Sequence, residues 1–261
     1  MTSSSIYLKL NDETAEIILD KPEKRNALSS DMWDAIPALV DQAVAEKAVK
    51  VIILHGGTAG AFAAGADISE FEVIYATAET AQASADTITR AVNSLANCPK
   101  PVIAAIEGAC VGGGVSLALA TDLRIAAEGS RFAVTPARLG IVYPADDTRR
   151  LAEVVGVPHA KDILLTGRLF ECEEAFRMGL INRLVPKGDS LKAAHEMAEA
   201  IGAVSQWSTR AIKEMFEGVN QGWDNATPEA NALFLNGFTN EDFKDGHKAF
   251  LQKRPAKFTF R

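Results

Sequence analysis

The sequence predicts an α/β fold, and three observations carry that prediction. Short runs of β-branched and aliphatic residues alternate with longer stretches whose apolar positions recur every three or four residues, the two periodicities of strand and helix. Glycine, asparagine and aspartate punctuate the boundaries between them. From Leu191 onward helical patterns stand almost alone, which marks the one expected subdivision, residues 1–190 against residues 191–261.

In chain order, Tyr7 to Leu10 and Ala15 to Leu19 bracket Asn11-Asp12 and read as a hairpin, because strand formers flank turn formers. From Ser29 to about Glu46 the residues Met32, Trp33, Ile36, Leu39, Val40 and Val44 keep helical spacing, with a kink expected at Pro37. Val49 to Leu54 reads as a buried strand, and a glycine-bearing loop then leads into an alanine-rich helical segment ending near Asn97. Pro101 to Ile106 is a second buried strand; Gly112-Gly113-Gly114 opens a helix; Leu123 to Ala126 and Arg131 to Val134 are further short strands. The last part reads as four helices, Leu191 to Ala203, Ser208 to Val219, Pro228 to Leu235 and Asp242 to Gln252, and no fixed-period repeat is visible.

Composition narrows the function classes. Lys and Arg number 27 against 34 Asp and Glu, a net charge of −7, which argues against a nucleic-acid partner because phosphate binders carry a basic face. With 48% hydrophobic and 23% charged residues the chain has material for a core and lacks the signature of disorder. Cys98, Cys110 and Cys172 are odd in number and widely spaced, so neither a disulfide framework nor a metal site is expected. No secretory leader and no membrane-spanning run of about 18 apolar residues is present, so a soluble cytoplasmic protein is expected.

Two glycine-containing loops hold most of the chemical information. Residues 61 to 68, Ala-Phe-Ala-Ala-Gly-Ala-Asp-Ile, follow a buried strand and end in Asp67, a candidate cap for the next helix. Residues 106 to 115, Ile-Glu-Gly-Ala-Cys-Val-Gly-Gly-Gly-Val, place three glycines between a strand and a helix, where N–H groups suit an oxygen that gains negative charge. Gly114 is not followed by Lys-Ser or Lys-Thr, and no GxGxxG carries an acidic partner, so nucleotide binding is disfavoured.

These loops belong to an ordered set: Asp20-Lys21-Pro22 with Arg25-Asn26-Ala27-Leu28, FAAGADI at 62 to 68, the glycine loop at 108 to 114, Asp122, Leu139-Gly140, Leu165-Thr166-Gly167, Gly179-Leu180-Ile181 and Phe250 to Arg254. In that order the set resembles the crotonase superfamily, the enoyl-CoA hydratase/isomerase family, over essentially the whole chain. The resemblance implies a ClpP-like spiral of ββα turns with a helical C-terminal part that builds a homotrimer or a dimer of trimers. It implies an acyl-CoA thioester substrate, with coenzyme A entering as part of that substrate and no separate cofactor. The thioester oxygen would be held by the backbone N–H groups of Ala66 and Gly113. Arg25, Ala27, Ala64, Asp67, Ile68, Gly112 and Pro136 would line the acyl-CoA path, and Phe250 and Lys253 would close over the nucleotide, in a neighbouring subunit if the helices reach across. Asp67 and Asp122 also suit structural caps or loop ties.

The departure from the family lies in the acid and base. Hydratases in this family carry a Glu three residues after the middle glycine and a second in F-x-x-P-E-x-x-L-G, since water addition needs a carboxylate to activate water and an acid to protonate carbon. The corresponding positions here are Ser116 and Pro136. Residues 135 to 143, with Glu107-Gly108, resemble the methylmalonyl-CoA decarboxylase branch, whose tyrosine matches Tyr143, although that branch keeps a Glu where Ser116 stands. The expected reaction is therefore a decarboxylase-type lyase step, with Tyr143 and Ser116 as its polar groups. Alternatives are a hydratase or isomerase with its acid/base moved to Asp146, Asp147 or Tyr143, with Glu107 as a further candidate, or a CoA-binding oligomer without chemistry. His55, His159, His195 and His247 have no partner in sequence and read as surface or packing residues.

Overall fold

A computed structural model describes residues 5–260. Its strands are β1 (Ile6–Asn11), β2 (Thr14–Leu19), β3 (Val51–His55), β4 (Val102–Ile106), β5 (Ala109–Val111), β6 (Leu123–Ala127), β7 (Arg131–Ala133), β8 (Leu169–Glu171) and β9 (Arg183–Val185). Its helices are α1 (Ser30–Ala45), α2 (Phe71–Ile74), α3 (Ala78–Ala96), α4 (Gly113–Leu119), α5 (Ala145–Thr166), α6 (Cys172–Arg177), α7 (Ser190–Gly202), α8 (Gln206–Asn220), α9 (Pro228–Asn236) and α10 (Glu241–Leu251).

One six-stranded sheet runs β1-β2-β3-β4-β6-β9, antiparallel only at the β1–β2 hairpin and parallel elsewhere. A second sheet runs β5-β7-β8, and Ala63 pairs in parallel with Cys110 to extend its edge. The chain thus repeats one motif: a strand in the large sheet, a short extended stretch beside it, then a helix. The motif starts at residues 14, 51, 102 and 123, so its unequal spacing hides it from a search for a fixed sequence period. This is the ββα spiral expected from the resemblance, and it stacks the extended stretches where the glycine loops lie.

Parallel strands covered on both faces read as continuous apolar runs, and every residue of β3 and β4 is buried. One face, with Ile52, Leu54, Val102 and Ala104, packs with Trp33 and Ile36 of α1 and Val92 and Leu95 of α3. The other face, with Val51, Ile53, Ile103 and Ala105, is covered by Ala193, Ala194, Met197 and Ala198 of α7. The division at residue 190 therefore follows secondary-structure type, whereas packing ties α7 to the sheet. The later helices leave Phe216, Phe234, Phe238, Phe243 and Phe250 exposed.

Pro37 does not interrupt α1, which runs unbroken from Ser30 to Ala45. Proline removes one N–H and crowds one carbonyl, and the apolar stripe of Met32, Trp33, Ile36, Val40 and Ala43 buried on the core outweighs that loss. The sharper irregularity falls in α5, where Gly156 takes φ 78° and ψ 152° two residues before Pro158.

Because α7 completes the core, Met197→Ala is expected to lower unfolding stability by about 2–5 kcal/mol. Urea denaturation followed by circular dichroism reads this as a lower midpoint at unchanged slope; an unchanged midpoint would show that α7 contributes nothing to the sheet's burial.

Candidate active site

Three loops meet backbone to backbone. Arg25 and Asn26 take left-handed conformations, φ 50° and 56°, directly after a 3-10 turn at Pro22–Lys24. The Asn26 side chain is fully buried; its Nδ2 donates to the carbonyls of Gly56 at 2.9 Å, Ala61 at 2.9 Å and Phe62 at 3.2 Å, while its Oδ1 accepts from Lys21 N–H at 2.8 Å. The segment after it is stitched to the second loop by Ala64 N–H to Arg25 O at 3.1 Å, Leu28 N–H to Gly65 O at 2.8 Å and Asp67 N–H to Leu28 O at 2.9 Å. The second loop is stitched to the third by Ala63 N–H to Ala109 O at 3.0 Å and Val111 N–H to Ala63 O at 2.9 Å.

Where the second and third loops touch, Gly65 (φ 106°) and Gly112 (φ 51°) supply backbone angles that a side chain resists, and a Cβ on Gly112 would stand 3.9 Å from the Gly65 Cα. Among the described residues neither the N–H of Ala66, an exposed residue, nor that of Gly113, a half-buried one, donates to a protein group, whereas Asp67 and Gly112 beside them donate to Leu28 O at 2.9 Å and Ala133 O at 2.8 Å. Gly113 opens α4, where an N–H has no intrahelical acceptor. A Cβ on it would stand 2.8 Å from the Trp33 ring, so the missing side chain fits the floor formed by α1.

One turn further along α4, Ser116 is buried with its hydroxyl 2.7 Å from that of Tyr143, in the loop before α5. Burial pushes the Tyr143 phenol far above its ordinary range; the Asp147 charge adds to the shift and the Ser116 hydroxyl opposes it. Asp147 is itself 3% exposed in the first turn of α5, and Arg150 donates to its Oδ1 at 3.2 Å. Burial raises the Asp147 carboxyl above the usual carboxylate range, against the pull of the Ser116 hydroxyl and Arg150. The adjacent Asp146 does not belong here: its side chain is 57% exposed and lies 4.0 Å from Arg149 on the solvent face. One residue of helix turns a side chain by about 100°, enough to send Asp146 outward and Asp147 inward.

Of the remaining residues singled out in the sequence, Asp67 is a brace. Its carboxylate meets Lys21 Nζ at 2.8 Å and Lys24 Nζ at 2.8 Å, accepts from Ser69 N–H at 3.1 Å, and is held well below the usual carboxylate range chiefly by those two lysines. Asp122 accepts from Val102 N–H at 2.7 Å and pairs with Lys213 at 2.6 Å, and Glu107 accepts from Ser190 N–H at 3.2 Å, so both tie loops. Pro136 begins a 3-10 turn, Ala27 is half-buried, and Arg25 and Ile68 are exposed beside the junction. Phe250, on α10, is 84% exposed, and Lys253 follows it with φ 52°.

Sequence reasoning missed three features. Asn26 as a buried hub left no periodic trace. Arg150, which donates to Asn93 Oδ1 at 2.7 Å as well as to Asp147, reads in sequence as one more helix cation. The histidines are not all without partners: His55 Nε2 lies 3.1 Å and His195 Nε2 3.3 Å from the buried Glu16 carboxylate.

A phenol kept neutral in the folded chain, beyond the unfolded value of about 10, contributes stability that is whole below that pH and is lost as pH rises past it. In alkaline titration one of the three tyrosines should withhold its phenolate absorbance until the chain unfolds, and Tyr143→Phe should abolish that delayed step. Appearance of all three phenolates in the folded protein would contradict the buried assignment.

The family model described as enoyl-CoA hydratase/isomerase matches residues 9–261. In fold the chain is similar to a crystal structure from Hyphomonas neptunium described as of the enoyl-CoA hydratase/isomerase family, with a TM-score of 0.97 and 62% identity over 98% of each chain. In sequence it is 34% identical to a probable enoyl-CoA hydratase of Mycobacterium bovis over 266 residues, 100% of each chain. It is also 34% identical to a crotonyl-CoA hydratase of Syntrophomonas wolfei over 265 residues, 99% of each. With a full-length family match and the ββα spiral both in hand, the chain belongs to the enoyl-CoA hydratase/isomerase family of the crotonase superfamily.

Proposed function

We propose that this chain is an acyl-CoA enzyme that grips a thioester oxygen between the Ala66 and Gly113 N–H groups and acts as a decarboxylase-type lyase. The observation that carries the lyase reading is the buried 2.7 Å Ser116–Tyr143 hydroxyl pair, standing one helical turn beyond Gly113. A neutral phenol can give its proton to the far more basic enolate carbon but cannot take one from carbon. Decarboxylation needs only the first ability: the bond from the α-carbon to the carboxylate breaks, CO2 leaves, the electron pair passes into the enolate, and the α-carbon then takes a proton from a hydroxyl. Two preorganised donors stabilise the enolate oxygen, and in acyl-transfer enzymes one such donor is worth about 2.7–4 kcal/mol.

A second reading has its own support. Asp147 is a buried carboxyl with a raised proton affinity near the pair, the profile of a relocated acid/base, and the relatives carry hydratase names. On that reading Asp147 adds water to, or moves the double bond of, an enoyl-CoA. In both readings Arg25, Ala27, Ala64, Ile68, Gly112 and Pro136 line the acyl-CoA path with Asp67 bracing it. Phe250 and Lys253 close over the nucleotide portion, contributed by a neighbouring subunit of a cytoplasmic homotrimer or dimer of trimers. The exposed phenylalanines of α8 to α10 support such an assembly.

Turnover of malonyl-, methylmalonyl- and crotonyl-CoA separates the readings. CO2 release from a carboxyacyl-CoA that falls by about 100-fold or more in Tyr143→Phe supports the lyase; water addition to crotonyl-CoA that survives Tyr143→Phe and is lost in Asp147→Asn supports the second reading. Ala66→Pro, which removes one N–H, should cost about 100- to 1000-fold in kcat in either case. Tight CoA-ester binding without turnover would leave a binding oligomer. Sedimentation should give a trimer or hexamer mass that Phe234→Asp with Phe238→Asp reduces; a wild-type monomer would contradict the assembly.

A further inference from the structure

A row of polar groups behind the hydroxyl pair has no part in the lyase reading above. The Asp147 carboxyl lies near the Ser116 hydroxyl of α4 and the Tyr143 phenol and accepts from Arg150 of its own helix, with the charge of Asp146 on the outward face and the Cys110 thiol of β5 also felt there. Arg150 spans outward: one nitrogen donates to Asp147 at 3.2 Å and another to Asn93 Oδ1 of α3 at 2.7 Å. Asn93 in turn lines an open groove of about 440 Å³ between α1 and α3, so the row runs from the hydroxyl pair to the surface.

The side chains of Arg150 and Asp147 are only 12% and 5% exposed. A dry ion pair is a poor stabiliser, because desolvation offsets most of its attraction and apolar residues of similar volume often serve as well. Here one partner lies beside the Ser116–Tyr143 hydroxyl pair, while the other is locked by a neutral amide that cannot compete for the charge.

We infer that Asp147 is the proton reservoir of the Ser116–Tyr143 pair and that Arg150, pinned by Asn93, is the positioning residue that sets how firmly the reservoir holds its proton. This rests on the reading that an enolate forms in front of the pair. In each turnover a hydroxyl gives its proton to the α-carbon and is refilled by its neighbour, which takes the proton of the Asp147 carboxylic acid. The carboxylate left behind is balanced by Arg150, and bulk water returns one proton, the one that decarboxylation consumes overall. Burial raises the hold of the Asp147 carboxyl on its proton, and Arg150 opposes that rise.

The test uses full-length protein labelled with carbon-13 at the aspartate carboxyls, with the Asp147 resonance identified by its loss in Asp147→Asn. In Arg150→Met the Asp147 midpoint should rise by about 1–3 pH units, with part of the rise reversed in Arg150→Lys. Asn93→Ala, which keeps the cation but frees it, gives a smaller rise and serves if Arg150→Met does not fold. The alkaline limb of the pH profile for CO2 release should move upward with the midpoint, since the reservoir acts protonated, and Asp147→Asn should lower kcat with little change in KM. A midpoint unmoved in folded Arg150→Met and Asn93→Ala, or a wild-type kcat in Asp147→Asn, overturns the inference. A midpoint that moves in a protein releasing no CO2 overturns the lyase reading and upholds the coupling of Arg150 to Asp147.

Discussion

The site depends on one constraint: three loops must approach with no side chains between them and still satisfy their amides. Ala63 is paired on both its N–H and its carbonyl to β5, and a Cβ on Gly114 would stand 2.9 Å from the Ala63 Cβ. Only small residues fit such a junction. Asn26 fixes the far side, taking up three carbonyls and one N–H that would otherwise be stranded in the interior. Once those pairings are made, the N–H groups of Ala66 and Gly113 have no partner among the described residues, and they are the donors that the proposed grip uses.

Charge is arranged around that junction rather than in it. Asp67 is paired with Lys21 and Lys24 beside the junction, and Asp147 is paired with Arg150 near the Ser116–Tyr143 hydroxyls. Burial keeps the Tyr143 phenol protonated, so it stands beside Ser116 as a neutral hydroxyl rather than a phenolate. On the proposed lyase reading, the thioester oxygen is held by amides and a proton is delivered by a neutral hydroxyl.

Much of this was legible in the residues. The hairpin at Asn11-Asp12, the buried strands and the glycine loops follow from strand propensity, periodicity and small side chains, and each lies within a few residues of its expected place. Other features depend on three-dimensional context. Pro37 carries a local signal against helix, but α1 runs through it with its apolar stripe buried on the core. The long helix α5 contains Gly156 and Pro158, so its sequence resembles a loop until its buried positions, Leu151, Val155 and Ile163, are seen against the core. Asp146 and Asp147 are neighbours of identical chemistry, and only helix phase separates them. His55 and His195 are far apart in the chain, and Glu16, on a strand whose other inward residues are apolar, brings them together.

The most direct measurement is the infrared stretching frequency of a carbon-13-labelled thioester carbonyl in a non-reacting acyl-CoA, free and bound. Two amides gripping one oxygen should weaken the C=O bond and lower its frequency on binding, and most of that lowering should vanish in Ala66→Pro. A bound carbonyl that vibrates at its solution frequency, with Ala66 intact, would contradict the grip on which the whole account stands.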